Sequence, residues 1–374
     1  MRLKQLAINQ YKNNEDSLLS FNERVNIFVG DNGAGKTNIL DAIYYLSFCK
    51  SPFGTLDGQN IKRDADYFML RGEYSNNELG NEKVHISYKN NERKKVKRND
   101  KEYEKLADHI GEFPLVIISP YDSYIINGQS EDRRKYIDSV ISQFDRAYLE
   151  QLMQYNTMLT QRNALLKQSN FHKPDLTLFE VMDLKMAKIG TQIHQKRKEF
   201  LAEFIPVIQN FYQFISMDLE VAGISYKSQL HENDYFENLQ SQLNKDLVLK
   251  HTSVGIHRDD IEFELDGYPI RRNGSQGQQK SFVVALKIAQ FEYTFLKKKY
   301  KPILLLDDIF DKLDIHRVQQ LMKLVSRNEF GQIFITDTNY ERISKIFENI
   351  DVSKQIFRVE AGTVKNIEGN GIKS

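Results

Sequence analysis

At 374 residues, the chain is long enough for two domains with a substantial buried core. Its 52 basic and 51 acidic residues leave a formal charge of +1, so any polyanion binding needs a local patch rather than a global field. No run approaches the roughly 18 apolar residues of a membrane-spanning helix. Cys49, the single cysteine, excludes an internal disulfide. The opening MRLKQLAINQYKNN lacks the apolar stretch of a secretory signal, and together these features predict a cytoplasmic protein without a membrane partner.

Leu3 to Ile8 reads as a first strand, and Ser20 to Val29 leads into GDNGAGKTN, residues 30–38. Gly30, Gly35, Lys36 and Thr37 fill the phosphate-loop pattern G-x-x-x-x-G-K-[ST]. Arg24 to Val29 supplies the strand before it, and Ile39, Leu40, Ala42, Ile43 and Leu46 recur at helical spacing after it. Backbone N–H groups from Gly30, Asp31, Asn32, Gly33, Ala34, Gly35 and Asn38 are expected to surround an anion at the helix N-terminus. Lys36 is placed to reach the β- and γ-phosphates, and the Thr37 hydroxyl to ligate Mg²⁺. The reading is a nucleoside triphosphate site.

Tyr67 to Tyr74 and Lys83 to Lys89 read as strands, followed by a basic hairpin with its turn at Asn99-Asp100. Lys94, Lys95, Lys97 and Arg98 there serve equally well as DNA-backbone contacts or as a solvated edge that discourages aggregation. Leu115 to Ile118 is a buried strand. Glu131 to about Gln168 then carries a long helical pattern, interrupted at Asp145-Arg146, and a second runs from about Phe179 to Phe214 through Pro206. Unbroken, the first would reach about 55 Å. The pair predicts an antiparallel helical arm over 121–245, inserted between halves 1–120 and 246–374 of an α/β domain. Arg133 and Arg134 on the arm are candidate phosphate contacts or members of ion pairs within it.

Strands return at Asp218 to Tyr226 and at Ile261 to Leu265, before a helix from Gly277 to Lys298. Leu304-Leu305-Leu306-Asp307-Asp308 is an apolar strand ending in two carboxylates, about 270 residues after the phosphate loop. Asp307 is the expected second Mg²⁺ ligand and Asp308 the carboxylate that orients the attacking water. Ile333 to Ile335 is another buried strand.

Ser275-Gln276-Gly277-Gln278-Gln279-Lys280 looks like the signature of ABC-type ATPases, and Leu313-Asp314 like their D-loop. With RRKYID (133–138), QRNALLK (161–167) and TSVGIHRDD (252–260), the chain resembles the RecF family of DNA repair proteins. That resemblance implies an ABC-type P-loop ATPase head of α/β class with a mixed sheet and an inserted helical arm. It implies ATP and Mg²⁺ as cofactors, with Ser275, Gly277 and Gln278 meeting the nucleotide of a second copy in an ATP-dependent homodimer. The expected activity is a weak, DNA-stimulated ATPase. The implied partners are gapped or junction DNA and the RecO and RecR proteins, in directing RecA loading. SMC- or Rad50-like heads need far longer arms, and the nucleotide-binding subunit of a transporter needs no such arm.

Four positions depart from the ABC pattern. No glutamine follows Leu115 to Ile118 before Gln129, no arginine occurs in Ser51-Pro52-Phe53-Gly54, and no switch histidine follows Ile333. Asp308 stands where a longer glutamate is usual, which predicts slow turnover. His257, Arg258, Asp259 and Asp260 lack metal-ligand spacing, and a structural or interface role suits them better.

Overall fold

The computed structural model describes residues 1–76, 80–169, 174–216, 220–232, 234–310, 318–322, 330–348 and 350–369. The chain opens with β1 (Arg2–Tyr11), β2 (Asn14–Ser20), β3 (Val25–Val29) and α1 (Lys36–Phe48). β4 (Tyr67–Asn76), β5 (Gly80–Lys89), β6 (Lys95–Arg98), β7 (Lys101–Glu102) and β8 (Leu115–Ile118) follow. A mainly helical stretch contains α2 (Tyr124–Asn127), α3 (Ser130–Ser142), α4 (Arg146–Gln168), α5 (Leu176–Ser216), β9 (Ala222–Lys227) and α6 (Tyr235–Leu249). Next come β10 (Asp260–Leu265), β11 (Tyr268–Pro269), α7 (Ile270–Asn273) and α8 (Gln276–Lys298). β12 (Ile303–Asp307), β13 (Ile333–Asp337), α9 (Tyr340–Phe347), β14 (Lys354–Glu360) and β15 (Thr363–Gly369) complete the order.

Two compact units result: Met1–Asp122, Phe214–Met217 and Lys280–Ser374 form the first, and Ser123–Gln213 with Asp218–Gln279 the second. In the first, an antiparallel sheet has the order β2-β1-β4-β5-β6-β7, and a mixed sheet the order β15-β14-β3-β13-β12-β8. β3, the strand before the phosphate loop, pairs in parallel with both β13 and β14. β12 lies between β13 and β8, again in parallel. The fully buried VNIFV, ILLLD and IFITD runs are what parallel strands covered on both faces require. One apolar cluster joins Leu6 and Leu70 of the antiparallel sheet, Leu40 and Leu46 of α1, and Phe28, Leu305 and Phe334 of the mixed sheet.

The second unit packs α3 to α6 with a three-stranded sheet of order β11-β10-β9. It extends to Gln279 rather than 245, because β9 and β10 pair from Asp260↔Lys227 to Leu265↔Ala222 and hold the intervening chain in the unit. The first helical pattern is two helices. Asp145 ends the run by accepting the Tyr148 N–H at 2.9 Å, which caps α4. Pro206 lies inside the 41-residue α5.

Two fully buried arginines organise this unit. Arg162 donates to Asp183 at 2.6 Å, Asp246 at 2.7 Å and Thr252 Oγ1 at 3.0 Å. Arg197 donates to both oxygens of Asp138 at 2.9 Å, to Asp259 at 3.0 Å and to Ile256 O at 3.0 Å. TSVGIHRDD is thereby tied to α3, α4, α5 and α6. His257 accepts from Tyr155 Oη at 2.8 Å, and Asp260 pairs with Arg133, so the His-Arg-Asp-Asp run is structural within its unit.

Candidate nucleotide-binding site

The phosphate loop joins β3 to α1, and its shape is imposed by neighbours on the first unit. Gly35 has φ 111°, and a Cβ there would meet the Asn13 side chain at 2.5 Å. A Cβ on Gly30 would meet Val359 O at 2.2 Å. α1 begins without a side-chain cap, which leaves its first N–H groups open to an anion. Lys36 Nζ donates to Gly30 O at 2.7 Å and Asp31 O at 2.9 Å, at the centre of the loop. Burial lowers the pKa of this ammonium against the attraction of Asp308, Asp307 and Asp337.

The β12 carboxylates arrive from the far end of the chain. Thr37 Oγ1 donates to Asp307 Oδ1 at 2.9 Å, and Thr336 Oγ1 to the same oxygen at 2.8 Å. Asp307 is 2% exposed, and burial raises its pKa despite both donors. Asp308 takes φ 47°, in the left-handed region, and its N–H donates to Thr336 Oγ1 at 2.9 Å. Thr37 and Asp307 are hard oxygen donors side by side, a pair suited to Mg²⁺.

Several residues of this site carry no motif. Asn13, in the β1–β2 turn, donates to Ala34 O at 3.1 Å and accepts from Asn38 Nδ2 at 2.7 Å, so it grips the middle and the C-terminal end of the loop. Lys12 pairs with the buried Asp41 of α1 and sits 5.4 Å from the Phe53 ring, bringing a cation beside the segment that lacks an arginine. Where the ABC pattern offers a glutamine after β8, Asp122 accepts the Ser119 N–H at 2.6 Å and pairs with Lys287 at 2.8 Å. Thr336 occupies the strand end where a switch histidine is usual. Only its position after an apolar strand could have singled it out.

Ser275, Gly277 and Gln278 belong to the second unit, at the start of α8. Ser275 Oγ accepts the Gln278 N–H at 3.2 Å, and the Gln278 carboxamide accepts the Ser275 N–H at 2.6 Å. This reciprocal cap leaves Ser275 exposed at a fixed helix N-terminus. Leu313 and Asp314 lie outside the described residues.

The basic residues marked for DNA divide. Lys94 pairs with Asp57 at 2.8 Å, and Arg98 with Glu82 at 2.9 Å and Glu112 at 2.6 Å. Arg133, 7% exposed, holds Asp260 through two bonds at 2.9 and 3.0 Å, and Arg134 donates to Asp259 O at 2.5 Å. For these four the ion-pair or structural alternative fits the geometry. Lys95 is exposed and Lys97 partly so.

A phosphate loop, a paired carboxylate strand and a capped signature helix define the nucleotide-binding head shared by SMC-like proteins. The family model described as RecF/RecN/SMC N terminal domain matches residues 2–365. The chain belongs to the RecF family. It is 46% identical over 367 residues to the DNA replication and repair protein RecF of Phocaeicola vulgatus, covering 97% of this chain and 98% of that one. It is 46% identical over 360 residues to the RecF of Flavobacterium johnsoniae, covering 96% and 100%. A solved structure of the recombination mediator protein RecF with ATP, in the RecFOR pathway, superposes with TM-score 0.90 at 31% identity, over 98% of each chain. An SMC head derived from Pyrococcus furiosus, at 16% identity and TM-score 0.57 over 98% of this chain and 96% of that one, shares the fold.

Proposed function

We propose that the protein is an ATP-dependent DNA-binding ATPase that closes as a homodimer on gapped or junction DNA. In this reading it works with RecO and RecR to direct RecA loading in the cytoplasm. The carrying observation is the 2.9 Å hydrogen bond from Thr37 to Asp307, which joins the two halves of a triphosphate site across 270 residues. The solved RecF–ATP structure supports ATP as the nucleotide, and its RecFOR context supports the pathway.

In the mechanism, Gly30 to Asn38 bind the phosphates through backbone N–H groups, and Lys36 turns from its carbonyl partners to the anion. Thr37 and Asp307 would hold Mg²⁺, which neutralises phosphate charge. Asp308 orients and deprotonates the attacking water, and its short side chain makes turnover slow. Ser275 and the first N–H groups of α8 meet the γ-phosphate held by the second copy, so closure requires ATP and hydrolysis releases it. Sedimentation with ATP and gapped duplex should yield DNA-bound dimers. Lys36→Ala should abolish them through lost ATP binding, and dimers that form without ATP would overturn the reading.

A further inference from the structure

The densest basic cluster of the sequence is split by its own strand pairing. Along β6, Val96 and Arg98 point to the core side, whereas Lys95 and Lys97 point to the open face of the antiparallel sheet. Register continues that face across the neighbouring strands. Lys97 lies opposite His85, and His85 opposite Arg71. Lys83, His85 and Lys89 alternate along β5 with the buried Val84 and Ile86. At the far side, a register irregularity between Leu3 and Gln5 exposes Lys4 beside Asn81.

Lys4, Arg71, Lys83, Lys89, Lys95 and Lys97 therefore share one surface, in a chain whose formal charge is only +1. Glu73, beside Arg71 at 2.7 Å and Lys83 at 3.9 Å, and Glu102, opposite Lys97, are the acidic residues within these rows, and Glu92 reaches Lys89 at 3.2 Å from the loop. The row Arg71–His85–Lys97 runs on to Glu102 of β7, and burial holds the His85 pKa below its ordinary value, so Arg71 and Lys97 flank a neutral ring. An anion laid across the strands meets the exposed Arg71, Lys83, Lys89 and Lys95 side chains.

We infer that the open face of the β1-β4-β5-β6 sheet is a docking surface for the phosphate backbone of duplex DNA. This rests on the DNA-binding reading above and specifies where in the first unit the backbone lies. Charge complementarity selects the occupant. Lys95 and Lys97 lie about 6.8 Å apart along β6, and Arg71 lies two strands away from Lys97, about 9.6 Å. Among the described residues the face has Tyr67 at one end and no row of aromatic rings on which successive bases of a single strand would stack. It is a surface for backbone contacts without base readout.

The test is a quadruple variant, Arg71→Gln, Lys83→Gln, Lys95→Gln and Lys97→Gln, against a control with Lys185→Gln, Lys188→Gln and Lys245→Gln on exposed arm positions. Binding to a fluorescent duplex with ATP is measured from low to moderate salt, alongside ATP affinity and thermal stability. The face variant should retain ATP binding and its melting transition and bind duplex on the order of tenfold or more weakly. Its slope of log affinity against log salt should flatten by about 0.9 for each phosphate that is no longer neutralised. The control should keep the parent slope. A parent-like slope in the face variant overturns the assignment while leaving DNA binding intact, as does an equal loss in the control. Failure of the parent protein to bind DNA overturns both. Parent binding that strongly favours single strands, lost in the same variant, overturns the duplex assignment.

Discussion

Thr336 Oγ1 donates to Asp307 Oδ1 at 2.8 Å and accepts from Asp308 N at 2.9 Å, so one buried hydroxyl holds both carboxylate residues at the end of β12. Thr336→Val keeps the shape and removes both bonds, leaving the strained Asp308 backbone unsupported. ATP hydrolysis should fall about tenfold or more, the equivalent of roughly 1.4 kcal/mol, while Thr336→Ser restores it. Steady-state kcat and KM for the two variants check this, with the loss expected mainly in kcat.

Asp308→Asn leaves Thr37 and Asp307 untouched and removes the proposed base. Hydrolysis should drop by on the order of a hundredfold or more with ATP affinity near normal. The variant should accumulate as ATP-bound dimers in gel filtration, and parent-like single-turnover rates would remove Asp308 from the catalytic role.

Ser275→Arg places a bulky group at the capped start of α8 without changing the phosphate loop. Monomer ATP affinity should persist while ATP-induced dimers, hydrolysis and stable DNA binding disappear together. Mixing this variant with Lys36→Ala creates dimers with one site carrying both defects and one carrying neither. Partial recovery of hydrolysis in demonstrated mixed dimers is the expected result for a composite site.

Arg162→Met leaves Asp183 and Asp246 buried without their shared cation. Breaking such a pair should cost about 3–5 kcal/mol, seen as a lower urea midpoint for the second unit. A loss below about 1 kcal/mol would mean that the network contributes little.

His109 is fully buried, with Nε2 donating to Leu46 O at 2.6 Å, and burial pushes its pKa down to about 4. The unfolded chain protonates this ring near the ordinary value of about 6.5. Between about pH 6.5 and 4 the unfolded state thus binds the extra proton, and stability falls as pH falls, by at most about 1.4 kcal/mol per unit for this group. His109→Gln retains a donor for Leu46 O and should show a shallower loss in denaturant midpoints compared between pH 7.5 and 5.

The parts of the fold legible in the sequence are those where local pattern and tertiary demand agree. GDNGAGKTN, LLLDD and the apolar strands announce the mixed sheet because buried parallel strands tolerate few polar residues. SQGQQK announces a helix start, which the structure closes with a reciprocal cap. Bonds made by lone polar residues from distant segments are not legible. Asn13 on the phosphate loop and Thr336 on Asp307 belong to no periodic pattern. Charge density at 93–98 marks a basic region, but only the alternation of β6 separates Lys95 and Lys97 from the internally paired Lys94 and Arg98.

The strand order carries a consequence for synthesis of the chain. β3 emerges from the ribosome early, yet both of its sheet neighbours, β13 and β14, are encoded roughly 300 residues later. At about 5–20 residues per second, the first neighbour arrives roughly 15–60 s afterwards. Until then the phosphate loop has neither the strand that anchors Thr336 nor the Val359 carbonyl against which Gly30 fits. Nascent and truncated chains therefore lack a formed nucleotide site, and the closure proposed above is reserved for molecules whose translation has run to β14.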